Sequence, residues 1–363
     1  MSGRKVLTGI RRAAVAGIAT LALVSSVHAA EKLKVGFVYV GPIGDHGWSH
    51  EHNQGRLALE KEFGDKVKTT YVESVPEGAD AERVITKLAK SGHKLIFTTS
   101  FGYMNPTLKV AKRFPKVKFE HATGFKRAKN VSTYSARFYE GRYVVGHLAG
   151  KLSKSGILGY VASFPIPEVI RGINAVTLAA RKINPKIQVK VVWVNSWFDP
   201  GKESDAAKTL IDQGADIIFQ HTDSPAPVQV AEKRGVWAVG QASDMAAFGP
   251  KAQMTAIIDN WAPYYIARTK AVMDGTWKSS DTWNGIKPGM VKLAPYNKGL
   301  PADAVALAKS VAKGIADGSI HPFAGPIKDQ SGKVVVAAGK TADDGMLAGM
   351  NFYVEGVVGS IPK

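Results

Sequence analysis

The stretch "KLAKSGHKLIFTTS" (87–100) superposes without a gap on "TLIDQGADIIFQHT" (209–222). Leu88 falls on Leu210, Gly92 on Gly214, and Ile96-Phe97 on Ile218-Phe219. Each copy reads as a helix, a glycine that ends it, and a short buried strand. A chance match of a common βα pattern is the alternative; two similar α/β lobes is the reading adopted. Ligands in doubly wound sheets bind beyond the carboxyl ends of the strands. The repeat therefore points to two equivalent loops, "SFGYMN" (100–105) and "HTDSPA" (221–226), facing each other across a cleft, with Phe101 and Asp223 at matching positions.

The rest of the chain extends this pattern. Short β-branched runs, such as "LKVGFVYV" (33–40), "GILGYVAS" (156–163) and "IQVKVVWV" (187–194), alternate with longer amphipathic ones. Among the latter are "WSHEHNQGRLALEKEF" (48–63), "PEVIRGINAVTLAARKI" (167–183) and "KESDAAKTLIDQG" (202–214). This alternation implies parallel sheets covered by helices, and continuous apolar strands fit sheets buried on both faces. The expected architecture is α/β: two doubly wound lobes joined by hinge crossovers. Residues 31–138 with part of 253–320 form the first lobe, and 139–252 with part of the C-terminal region the second. Residues 321–363 read as a hairpin and a terminal element packed on the lobes.

The first thirty residues read as a signal peptide. Arg4, Lys5, Arg11 and Arg12 form a basic n-region, Ala13 to Val24 an apolar stretch, and "SSVHAA" a small-residue cleavage site near Ala29-Ala30. The 363 residues contain no cysteine, which excludes disulfides, thiolate metal sites, cysteine nucleophiles and a lipid-anchoring cysteine. A free periplasmic protein is expected, and a monomer. The formal charge is +18, but the lysines are scattered over helix faces with no basic block, so a solvated surface is expected and not a nucleic-acid partner.

The loop "GPIGDHGWSHEHNQG" (41–55) follows a strand and opens a helix. Its glycines are spaced G-x-x-G-x-x-G, unlike the dinucleotide fingerprint, and Asp45 would repel a phosphate. His46, His50 and His52 suggest zinc, yet His50 and His52 are two apart and point to different sides of a helix; exposed histidines on the first turn is the reading adopted. No nucleophile elbow occurs, and no Ser-x-x-Lys set with its partner motifs. Asp223 and Asp244 could do acid–base work, but no spacing joins them, and the chain is not read as an enzyme. Trp48, Phe101 and Trp197 stand at strand-end loops of both lobes, where planar rings could sandwich a flat ligand. Asp45, Asp223 and Asp244 would accept from its N–H groups. Glu168 and Arg171, in the helix opening "PIPEVIRG", stand near the same rim, as ligand contacts or as an ion pair.

These residues carry a resemblance. From "KVGFVYVGPIGDHGW" through "FYEGRYVVGHLAG" and "VNSWFDPGK" to "DNWAPYYIARTKAVMDGTW", the chain resembles the basic membrane protein family of ABC-transporter substrate-binding proteins, the purine nucleoside receptor-like group. The resemblance implies a periplasmic binding protein type I fold, a small-molecule ligand, ABC permease subunits as partners and no cofactor. The family's Asp-x-x-Phe-Asn reads here Asp45-His-Gly-Trp48-Ser49, which puts Trp48 on a stacking aromatic. A second stacking aromatic falls on Trp197 or Phe198, and the family's base-reading aspartate falls near Thr123. Where nucleoside binders carry Gly-Val-Asp-x-Asp-Gln, this chain has Gly240-Gln-Ala242-Ser-Asp244-Met245. A ribose-binding lysine is replaced by Asp259 or Asn260, and the glycine-rich sugar loop by "HTDSPAP". With the ribose partners gone, the expectation is a purine-type nucleobase, adenine or an oxopurine. A nucleoside is the alternative within the family; a zinc-binding protein and a purine-processing enzyme are the alternatives outside it.

Overall fold

The computed structural model describes Met1, Gly3 and residues 31–362, so the expected signal peptide and its cleavage site lie outside the described residues. The chain first builds β1 (Leu33–Val38), α1 (Trp48–Phe63), β2 (Val67–Val72), α2 (Ala79–Lys90), β3 (Leu95–Thr98), α3 (Met104–Arg113), β4 (Lys118–Ala122) and β5 (Val131–Ala136). It crosses to a second lobe made of α4 (Phe138–Leu152), β6 (Ile157–Ala162), α5 (Pro167–Ile183), β7 (Gln188–Trp193), α6 (Pro200–Asp212), β8 (Ile217–His221), α7 (Ala226–Arg234), β9 (Trp237–Ala242) and β10 (Gln253–Asp259). It returns to the first lobe for α8 (Ala262–Met273) and β11 (Asp281–Asn284), then to the second for β12 (Val291–Leu293) and α9 (Ala302–Asp317). The tail carries a hairpin, β13 (Ile327–Lys328) and β14 (Val334–Val336), then α10 (Asp344–Ala348) and β15 (Val357–Val358).

The first sheet runs β2-β1-β3-β4-β5-β11, and all its pairs are parallel. The second runs β15-β7-β6-β8-β9-β10-β12, parallel except that β12 is antiparallel to β10. Strip off β15 and the two orders correspond strand for strand, with β3 and β8 in equivalent places beside β1 and β6. The sequence repeat is thus this shared topology. Gly92 and Gly214 end α2 and α6 in the left-handed region (φ 88° and 95°), where a side chain would be strained. Both sheets are covered on two faces, and Val35, Phe37, Phe97, Phe119, Tyr160 and Phe219 are fully buried.

One strand escaped the apolar-run pattern. β5, "VSTYSA", is polar by letter but buried, with its hydroxyls bonded across to returning chain. Ser132 Oγ accepts from Arg268 Nη2 (2.7 Å) and from the Ser280 amide (3.1 Å), and Thr133 Oγ1 donates to Asp281 Oδ1 (2.7 Å).

Three crossovers join the lobes: 136–138, 259–262 and 284–291. Arg137 sits in the first. Its amide donates to Asn284 O (2.8 Å) and its Nε to Trp283 O (3.0 Å), both at the third crossover. Its Nη1 and Nη2 donate to the two carboxylate oxygens of Asp344 in α10, each at 2.7 Å.

Candidate functional site

The carboxyl ends of both sheets face one another across a narrow cleft. The first lobe lines it with Val40, Trp48, Ser100, Phe101 and Thr123; the second with Glu168, Trp197, His221, Asp223 and Gln241. The loops leaving the strands here are conformationally costly. His46, Ser74, Thr123, Asn195 and Ala242 are non-glycine residues with φ between 51° and 62°. Left-handed backbone at such residues costs roughly 1 kcal/mol or more each and collects at ligand sites.

Trp48 is the first residue of α1, and its start is fixed by Asp45. Asp45 Oδ1 accepts from the amides of Gly47 and His50, and Oδ2 from Ser49, all at 2.9 Å. Asp45 was expected to offer an oxygen to a ligand at the rim; instead it is buried, and its carboxylate satisfies the free N–H groups of the helix end. Trp48 is half-buried, and its Nε1 donates to Thr99 O at 2.6 Å. The ring stands edge-on to His52 (centroids 4.4 Å apart, 81°) and Trp261 (5.5 Å, 78°).

The histidine reading also needs correcting. His46 is exposed, but His52 is fully buried, stacked on Trp261 (4.8 Å, 10°) and bonded through Nδ1 to the Tyr265 hydroxyl at 2.5 Å. It lies one helical turn from Trp48 and so shares its inward face. Among the described residues no group of three His, Asp or Glu side chains is placed to hold a metal ion.

Across the cleft, Trp197 leaves β7 and donates Nε1 to Glu77 Oε1 of the first lobe (3.3 Å). Its carbonyl accepts from the Asp223 amide (2.9 Å), which ties the two rim loops of the second lobe together. Asp223 is buried, and its Oδ2 has no hydrogen-bond partner among the described residues. Burial and the nearby carboxylates of Asp45, Glu203 and Asp259 push its pKa well up. Glu168 Oε1 lies 3.5 Å from His221 Nε2, and burial lowers the pKa of this imidazole. Gly47 shows how closely the lobes approach. A Cβ there would lie 2.2 Å from the Asp223 carbonyl, so only glycine permits the contact.

Trp48, Phe101, Glu168, Trp197 and Asp223 are therefore gathered around one space, whereas Asp45 and two further expected residues are not. Asp244 is exposed and turned toward its own loop, accepting from the Ala246 amide (3.0 Å) and Gln253 Nε2 (2.7 Å). Arg171 is buried against Trp283 (4.8 Å to the ring centroid) and donates to Leu347 O. It borders a neighbouring open space of about 340 Å³ that also touches Phe101, Thr123 and Glu168. Gln241, His221 and Ser100 were missed. All three stand at the carboxyl ends of β3, β8 and β9, the same signal that marks the aromatics and carboxylates.

A family model described as Bmp, ABC transporter substrate-binding protein PnrA-like, matches residues 32–320. The chain belongs to this family. Bmp-family chains are extracytoplasmic substrate-binding proteins of ABC transporters, which makes this one a small-molecule binder that works with a permease. The Bmp chain is 59% identical over 349 residues to a purine-binding protein of Brucella abortus (strain 2308), covering 96% of this chain and 99% of the relative. It is 36% identical over 333 residues to a putative ABC transporter glucose-binding protein of Haloferax volcanii, with 92% and 82% covered. A solved ABC solute-binding protein from Aeropyrum pernix K1 superposes with a TM-score of 0.69 at 20% identity, over 81% of this chain and 94% of that one.

Proposed function

We propose that this Bmp-family protein captures a free purine-type nucleobase in the periplasm and delivers it to an ABC permease. The observation that carries the reading is the pair of indoles, Trp48 and Trp197, brought from opposite lobes to one narrow cleft beside an unpartnered buried carboxylate, Asp223. Flat rings gain roughly 0.5–1.5 kcal/mol per aromatic pair beyond the area they bury, and a carboxylate without a partner favours a ligand bearing N–H groups. The name of the Brucella relative, a purine-binding protein, supports the ligand class. Absence of the ribose partners supports the free base. Ala242 brings a methyl group where the family has a carboxylate, and it lies outside the cleft lining. The lobes close on the base by rotation about the three crossovers, as in other hinge-closing binding proteins.

Titration calorimetry on protein stripped of bound ligand tests this with adenine, hypoxanthine, xanthine, adenosine, inosine and glucose. Tight binding of at least one free base is expected. Binding confined to the nucleosides or to glucose sinks the reading.

A further inference from the structure

The side chains around the cleft differ sharply in what they have left to offer. Nearly every donor is committed inside the protein. Trp48 Nε1 is bonded to Thr99 O, Trp197 Nε1 and Ser100 Oγ to Glu77 Oε1, and Thr123 Oγ1 to Ala122 O (2.8 Å). The acceptors remain open. Asp223 Oδ2 and His221 Nδ1 have no partner among the described residues. Glu168 Oε1 faces His221 Nε2, which places the imidazole proton there and leaves a lone pair on Nδ1.

Among the side chains that line the cleft one donor survives, and its orientation is forced. Below the lining, Arg142 Nε and Nη1 have no partner among the described residues. Arg142, fully buried beneath the cleft, donates Nη2 to Gln241 Oε1 and to Gln220 O. A guanidinium can only donate, so Gln241 must turn its oxygen down toward it. The NH₂ group of Gln241 is then the part left for a ligand, and it suits a ring nitrogen with a lone pair. The lining thus asks for several N–H donors and a ring acceptor, and it has little to give a carbonyl oxygen.

Resting on the nucleobase reading, we infer that the cleft is built for an amino-substituted base of the adenine type and discriminates against oxopurines. Adenine brings an exocyclic amino group, a ring N–H and ring nitrogen acceptors, and it has no carbonyl. Each carbonyl of hypoxanthine or xanthine displaces a donor and leaves a buried oxygen facing acceptors, with the desolvation cost of both.

Calorimetry on the ligand-stripped protein tests the inference with adenine, hypoxanthine and xanthine, alongside adenosine and inosine. Adenine is expected to bind roughly ten- to a hundredfold tighter than either oxopurine. The isosteric changes Asp223→Asn and Glu168→Gln are each expected to narrow that ratio. Hypoxanthine or xanthine binding as tightly as adenine overturns the inference, as does a ratio unmoved in both variants. Binding of nucleosides without free bases defeats the nucleobase reading alone. In that case a preference for adenosine over inosine sustains the demand for an amino group, and equal affinities defeat it. Glucose binding alone defeats both.

Discussion

Trp197 of the second lobe donates its indole N–H to Glu77 of the first lobe at 3.3 Å. The same Glu77 oxygen accepts from Ser100 Oγ (2.5 Å) and the Gly102 amide (2.9 Å), so it is held in place before the lobes meet. The ring proposed to cover the ligand is thus also part of the fastening between the lobes. Glu77→Ala is expected to speed ligand release about fivefold, the value of roughly 1 kcal/mol for one such bond near solvent. Stopped-flow tryptophan fluorescence reads the rate directly, and an unchanged off-rate removes the fastening role.

Trp48→Ala should abolish measurable binding, while Trp48→Phe keeps a ring and is expected to weaken binding by about 1 kcal/mol. Calorimetry distinguishes the two. Equal losses for both variants would show that the indole N–H bond to Thr99 matters and the ring face does not.

Gly47→Ala places a Cβ 2.2 Å from the Asp223 carbonyl only when the lobes are together. Parting of the lobes is expected to relieve the clash. Affinity is expected to fall by at least a hundredfold while the melting temperature of the ligand-free protein stays within about 2 °C. Small-angle scattering should show that ligand no longer compacts the variant. A variant that compacts normally argues against the contact.

Glu51 lies in the first turn of α1, where burial and Asp45 raise its pKa from 4.5 to about 7. Between these values the folded state binds more protons than the unfolded one, so stability falls as pH rises through the interval. The contribution is fully present below 4.5 and gone above about 7. Glu51→Gln should flatten this part of the stability profile and raise the midpoint at pH 8. Urea unfolding at pH 5, 6, 7 and 8 checks both.

Glu120, fully buried in β4, accepts from Arg268 Nε, the Tyr264 hydroxyl and Trp277 Nε1, each at 2.6 Å. Its removal strands three buried donors at once. Glu120→Ala is expected to destabilise the protein by about 3–5 kcal/mol. A loss under 1 kcal/mol in chemical unfolding contradicts that account.

The α/β class was legible because parallel strands buried on both faces must be apolar along their whole length, as "KLIFTTS" and "ADIIFQH" are. The gathering of Trp48, Phe101, Trp197 and Asp223 followed from the same regularity, since all of them leave the carboxyl ends of strands. Where a side chain then turns was not legible. Asp45 before a helix reads equally as a ligand acceptor or as the cap it is, and Asp244 has the same ambiguity. His52 carried an overlooked signal, its four-residue spacing from Trp48. β5 hid its burial because its hydroxyls are matched by Arg268 and Asp281, residues that lie far along the chain.

Arg137 joins the first crossover, the third crossover and the tail helix through one side chain and its own amide. Two of the segments that join the lobes are therefore splinted by the tail helix. If the lobes swing about these crossovers as proposed, the swing is expected to be limited from behind, at the back of the joint. Loosening the Asp344 end should then widen the gape, trading grip for speed of release.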